Sequence, residues 1–319
     1  MKLKSLISPL SVTCTALLLT GASSCSNSTN VDAQKIATGQ AFVATSEPSS
    51  QLFASAQRFE KQGELKRALK TYKKVADKYP LSEQAPQARY QQASILYAKG
   101  ALIDSFDIYQ KFIENNKSSP LYSSAVQKQS EVAFAAASGD IKHNFAGLKS
   151  KLTGATIVKM LTTVRDNAPF SEHAIKAQYL IGSVWEDREN VDKAISGYQE
   201  LQTRYPNSNL TPEALYKTGT ILVAKSNKSN RNKATLDNAK NIFLDLQQQY
   251  PNHPRAKDAK TQLAKLSSND VQSSFDIAEF YLQKEQKASA AFYFREVMRL
   301  SPSGALHEKA KARLTEIGQ

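Results

Sequence analysis

Residues 52–80 read LFASAQRFEKQGELKRALKTYKKVADKYP, and two helices that face one another are written in them. Leu52, Ala56 and Phe59 stand at i, i+4 and i+7, an apolar stripe along one helical face. Gly63 breaks that helix. Ala68, Tyr72 and Val75 make the facing stripe of a second helix, which ends at Tyr79-Pro80 because proline cannot continue the hydrogen-bond ladder. Small side chains at Ala56 and Ala68 let the two backbones approach, and Phe59 and Tyr72 fill the space around them.

The same punctuation recurs along the chain. Ala68, Tyr72 and Pro80 are matched by Ala194, Tyr198 and Pro206, by Ala239, Phe243 and Pro251, and by Ala290, Phe294 and Pro302, each small residue standing 12 before its proline. A second unit over residues 88–116 carries Ala93, Leu96, Ser105, Tyr109 and Phe112, with Pro120 as its stop. A third is degenerate: an alanine-rich helix ends near Ser138-Gly139, an irregular stretch follows, and Gly154, Ile157, Leu161, Val164 and Pro169 complete the pair. In the fifth, Gly219 precedes Ala239 by 20 residues, so eight are inserted, expected as a basic loop at 225–233. Duplication is direct at one point, where ARYQQASILYAK (88–99) and ALYKTGTILVAK (214–225) agree at six of twelve positions. Self-similarity on this scale means a stack of one supersecondary unit. The expected fold is an all-α, right-handed superhelical solenoid of about six tetratricopeptide-like helix pairs, closed by a capping helix bearing Ala305, Ala310 and Leu314.

Residues 1–24 read as an export signal: Lys2 and Lys4, an apolar stretch culminating in Ala16-Leu17-Leu18-Leu19, then Gly21-Ala22-Ser23-Ser24 before Cys25. That stretch is interrupted by Pro9 and Ser11 and falls short of the roughly 20 apolar residues of a membrane span. The small residues before Cys25 resemble a lipobox, although Ala22 stands where leucine is usual; the alternative is a plain secretory site ending at Ser24. Residues 25–50, rich in Ser, Thr, Asn, Ala and Gln, read as a lipidated disordered tether, and 51–319 as the solenoid. Cysteine occurs only at Cys14 and Cys25, so no disulfide or cysteine-based metal site is available to the body of the protein.

The chain of 319 residues carries a formal charge of +13, which favours acidic partners or an anionic lipid surface and also fits solvated helix faces. Lys61, Lys66, Arg67, Lys70, Lys73, Lys74 and Lys78 raise nucleic acid as a partner, but without interleaved exposed aromatics or an arginine-rich reading helix. No phosphate loop, nucleophile elbow or paired histidine motif occurs, and His143, His173, His253 and His307 are far apart in sequence. The expectation is a binding protein with no catalytic residues, cofactor or metal. Trp185 takes a repeat core position, the cluster Glu186-Asp187-Arg188-Glu189 reads as a solvated turn, and Thr211 before Pro212 reads as an N-cap.

Two stretches, residues 52–120 and 239–302, resemble the BamD family of outer-membrane lipoproteins, covering about two-fifths of the chain. In the second, a long helix runs into Ile277-Ala278-Glu279-Phe280-Tyr281 before the last repeat. That family usually has five repeats, so the unit around residues 121–206 is an addition. The resemblance implies a scaffold on the periplasmic face of the outer membrane, held by lipid on Cys25. Its implied partners are a BamA-like barrel insertase and unfolded outer-membrane proteins. A general adaptor in cell-envelope or peptidoglycan organisation is the competing reading, with a DNA-binding lipoprotein as a lesser one. If the first helix of each pair lines the groove, Phe53, Gln57, Glu60 and Lys61 face client peptide, unless Phe53 packs against the tether or the next repeat. By the same count Phe275, Glu279 and Leu282 face out toward the barrel partner that the resemblance implies.

Overall fold

In the computed structural model the described residues are 40–145, 148–228 and 232–319. Cys25, the leader and most of the expected tether lie outside them. Helices α1 (Gln40–Lys61) and α2 (Leu65–Lys78) form the first pair, and α3 (Gln84–Ala98) and α4 (Leu102–Asn115) the second. The third is α5 (Tyr122–Ala137) with α6 (Gly154–Asn167), the fourth α7 (Glu172–Glu186) with α8 (Val191–Arg204), and the fifth α9 (Leu210–Lys228) with α10 (Lys233–Gln249). A long α11 (Pro254–Gln283), then α12 (Lys287–Leu300) and α13 (Ala305–Glu316), complete the chain. Each helix packs on its neighbours in sequence, as a solenoid requires. The expected stack of about six helix pairs with a terminal cap is the fold.

One contact recurs in every pair but the third. The buried aromatic of the second helix meets a ring nineteen residues earlier: Phe53 with Tyr72, Tyr90 with Tyr109, Tyr179 with Tyr198, and Phe275 with Phe294, centroids 5.6, 5.6, 5.4 and 5.6 Å apart. Tyr216 meets Phe243 at 5.8 Å across twenty-seven residues, the same position displaced by the eight-residue insertion. Burying such a ring contributes about 1.5–3 kcal/mol, and the edge-on pairing about 0.5–1.5 more. Small residues make room for it. A Cβ on Gly182 would stand 2.5 Å from the Tyr198 ring, and one on Gly219 2.5 Å from Phe243.

The turns inside the pairs also repeat. Gly63 and Gly100 take φ of 74° and 73°, a left-handed conformation that lets Glu64 N–H bond Phe59 O and Ala101 N–H bond Leu96 O, both closing a helix end. In the fourth and sixth pairs Glu189 and Glu285 hold this conformation instead, at 56° and 57°, and the same bonds form from Asn190 to Trp185 and from Gln286 to Tyr281.

Four expectations are corrected. The solenoid does not begin at 51: α1 starts at Gln40, and buried Ser49 donates to Gln84 Oε1 at 2.8 Å, so this end of the expected tether is packed helix. The stretch before Gly154 is not irregular but holds an antiparallel hairpin, β1 (Lys142–Phe145) and β2 (Leu148–Lys151), with Lys142 opposite Lys151. The fold is therefore all-α apart from this insert. The eight-residue insertion is mostly helix, since α9 runs to Lys228 over 19 residues and α10 starts at Lys233 and has 17, against 15 and 14 in the fourth pair. Thr211 is not an N-cap: it lies inside α9, fully buried, and its hydroxyl donates to Tyr205 O at 2.6 Å, while Ser208 Oγ accepts from Leu210 N–H.

Helix α11 ties the last two units together. Its 30 residues span about 45 Å at 1.5 Å per residue. Ala259 and Leu266 pack with Phe243 and Leu246 of α10, whereas Val271 and Ala278 pack with Phe294 and Val297 of α12. Lys240 of α10 is ion-paired to Asp270 at its middle.

Candidate partner-binding surface

The residues expected to face partners divide once the repeat geometry is known. Phe53 does not face the groove: it is 8% exposed and its ring lies edge-on to Tyr72. Glu60 is half-buried and accepts the Tyr72 hydroxyl at 2.6 Å. Gln57 and Lys61 are exposed, so these two of the four are available at the first pair. At the other end Phe275 does not face out either, since it is half-buried against Phe294. Leu282 packs into the same core, and Glu279 accepts from Arg313 Nε of α13 at 2.8 Å. Phe53 and Phe275 are one repeat position, equivalent to Tyr90, Tyr179 and Tyr216, and that position is core.

What the last pair exposes is the adjacent set of rings. Phe280 is 54% exposed and Phe292 64%, with Ile277 at 39% beside them. Phe280 meets Tyr281 edge-on at 5.7 Å, Tyr281 stacks on Tyr293 at 5.6 Å with 12° between planes, and Tyr293 meets Phe292 at 5.2 Å and 89°. Four rings thus run across α11 and α12 as one ridge. Lys284 Nζ sits 5.9 Å over Phe280, and Glu279, next to Phe280 in the sequence, is ion-paired to Arg313, which also pairs with Glu316. The sequence held a signal for this. Phe292-Tyr293-Phe294 are consecutive on a helix, where successive side chains diverge by 100°, so all three cannot face one core.

Exposed aromatics with charged residues at their edge have the composition of an interface centre and no catalytic chemistry of their own. Among the described residues no cluster of His, Cys, Asp or Glu could hold a metal ion, and no helix is long and apolar enough to cross a membrane. Glu186 beside Trp185 is a structural group: it accepts from Tyr198 Oη at 2.6 Å and from Lys217 Nζ at 3.0 Å, and burial pushes the Tyr198 hydroxyl far above the usual tyrosine range. Trp185 itself is partly buried, with Lys193 Nζ 4.4 Å over its ring.

The tetratricopeptide repeat family model matches residues 53–120. The chain is 24% identical over 144 residues to the outer membrane protein assembly factor BamD of Neisseria gonorrhoeae and to that of Neisseria meningitidis, across 42% of this chain and 54% of each of theirs. It therefore spans about half the length of the curated relatives it matches. Among solved structures it is similar to the C-terminal part of a TPR repeat-containing protein from Cytophaga hutchinsonii, at 14% identity and TM-score 0.35, covering 88% of this chain and 94% of that one. It is also similar to MamA from Desulfovibrio magneticus RS-1, at 16% identity and TM-score 0.31, covering 65% and 98%. The model described as outer membrane lipoprotein matches residues 147–317, from the β-hairpin through the aromatic ridge to the cap, which is more than half of the chain, and the protein belongs to that family, YfiO.

Proposed function

We propose that this protein is a periplasm-facing outer-membrane lipoprotein, anchored by lipid on Cys25, that serves as a scaffold in the assembly and insertion of β-barrel outer-membrane proteins. The observation that carries the reading is the placement of the ridge Phe280–Tyr281–Tyr293–Phe292, exposed at its two phenylalanines, inside the stretch matched by the family model. In this reading the ridge docks a BamA-like barrel insertase, and the solenoid's inner face, including Gln57 and Lys61, receives unfolded barrel segments. A preformed stack of helix pairs pays little ordering entropy when it binds an extended chain. The likeness to BamD of two Neisseria species supports assembly over general envelope organisation.

Co-purification tests it. The tagged lipoprotein, solubilised in detergent from its own envelope, is expected to bring down a BamA-like barrel protein. An eluate holding peptidoglycan-synthesis enzymes and no barrel partner would place the protein with the general envelope adaptors instead.

A further inference from the structure

The charge of this chain is concentrated on one helix. Helix α2, LKRALKTYKKVADK, holds six cations and one anion, a net +5 of the chain's +13. The second helices of the other pairs carry between −2 in α4 and +2 in α12. The buried face of α2 is Ala68, Tyr72, Val75 and Ala76. Directly behind it Lys66, Lys70, Lys74 and Lys78 stand at i, i+4, i+8 and i+12, all exposed, a ladder about 18 Å long. Neighbouring Arg67 and Lys73 are ion-paired to Glu64 and Asp77. No described carboxylate forms an ion pair with any lysine of the ladder. A run of uncompensated like charge opposes folding through self-repulsion and serves a partner of opposite sign.

The position of α2 says which partner. Ser49 of α1 bonds Gln84 at the start of α3, so the incoming chain lies at the end of the first pair where α2 finishes with Lys78. Cys25 precedes Gln40 by fifteen residues, a reach of no more than about 54 Å even when fully extended. Among all the second helices, the basic one is therefore the one nearest along the chain to the segment that would enter the membrane.

We propose that the lysine ladder of α2 is a membrane-contact face, which lays the first repeat against the anionic phosphates of phospholipid headgroups. The lysine stems lie along the helix and the ammonium groups reach the phosphates, each adding to adsorption on an anionic surface. The first repeat is then held on the bilayer, and the ridge of the last repeat is left free for protein. The biological role rests on the lipoprotein reading above, but the contact does not depend on acylation, and its test is made without it.

The full chain carrying Cys25→Ser is mixed with vesicles of phosphatidylcholine alone or with one quarter phosphatidylglycerol, and bound protein is measured by sedimentation. Any contribution of the uncleaved leader is common to all variants. Changing Lys66, Lys70, Lys74 and Lys78 to Gln is expected to weaken binding to the anionic vesicles by at least about tenfold at low salt. Binding to neutral vesicles, and binding at 1 M salt (about a 3 Å screening length), is expected to be the same for both chains. The four-arginine variant keeps the charge and is expected to bind as the parent does. Equal binding of the glutamine variant and the parent to anionic vesicles, with unchanged helical circular dichroism, overturns the proposal. So does a duplex DNA oligonucleotide that binds the parent more tightly than the anionic vesicles do and loses that binding in the glutamine variant.

Discussion

Tyr72 donates its hydroxyl to Glu60 Oε2 at 2.6 Å, twelve residues back across the first turn, and Tyr198 makes the same bond to Glu186 at 2.6 Å. In the last pair the same two positions are Phe294 and Leu282, which pack without a polar group. The repeat position accepts a matched polar pair or a matched apolar one. Tyr72→Phe alone is expected to destabilise by about 1 kcal/mol, because it removes a buried hydrogen bond and leaves the carboxylate in place. Adding Glu60→Leu, which copies the last pair, is expected to recover most of that loss in urea unfolding. A double variant less stable than Tyr72→Phe would show that the two positions are not coupled.

Alkaline pH tests the same rings. Burial raises the hydroxyl pKa of Tyr72, Tyr109 and Tyr198 far above its ordinary value, and for Tyr72 and Tyr198 the neighbouring carboxylate adds to the shift. A group whose folded pKa lies above its unfolded value contributes stability that is complete below the unfolded pKa and is lost above it. The melting midpoint is therefore expected to fall as pH climbs past about 10. Tyr198→Phe is expected to flatten that fall, and an unchanged slope would mean the hydroxyl ionises without unfolding.

Gly197 and Gly182 bring α7 and α8 together at the backbone. A Cβ on Gly197 would lie 2.8 Å from Gly182 N, so the helices themselves must separate. Gly197→Ala is expected to cost about 1–3 kcal/mol by thermal unfolding. Ala290, fully buried in the last pair, is expected to respond similarly to leucine.

Relief of strain gives the opposite sign. Glu189 and Glu285 hold the left-handed conformation that glycine holds in the first two pairs. Changing either to Gly is expected to raise stability by about 0.5–1 kcal/mol, the net of removed strain and added unfolded-state entropy. Lower melting midpoints in both variants would contradict the assignment.

The anchor is checked by labelling. Cys25→Ser is expected to abolish fatty-acid incorporation and leave the precursor uncleaved by the lipoprotein peptidase. Normal processing of that variant to a soluble form would remove Cys25 as the lipidation site.

Much of the stack was legible because its signals are periodic and local. The Ala, aromatic and proline positions of the second helices are read directly, and Ala68, Tyr72, Ala194, Tyr198, Ala290 and Phe294 are all essentially fully buried. The first helices were harder, since each packs on its own partner and on the next pair as well. One stripe of Ala56 and Phe59 does not describe that, and Phe53 and Phe275 looked free when they belong to a second buried row. The row was detectable: Tyr90 and Tyr216 coincide in the duplicated stretches, at the position of Phe53 and Phe275. The β-hairpin had no such signal, because its strands are four residues each and their sequences, KHNF and LKSK, show no clear alternation.

The most direct measurement compares a double change in the ridge, at Phe280 of α11 and Phe292 of α12, with a change at Phe275, five residues before Phe280 on α11. Phe280→Ala with Phe292→Ala removes exposed rings and is expected to leave the unfolding free energy within about 0.5 kcal/mol of the parent. Phe275→Ala removes a core ring and is expected to cost about 2–4 kcal/mol. When each tagged chain is purified in detergent from its own envelope, the expected result is that a BamA-like barrel partner elutes with the parent and is lost with the stable Phe280 and Phe292 double variant. A barrel partner retained in full by that double variant, or missing from the parent, would contradict the ridge as the docking surface of an outer-membrane assembly scaffold.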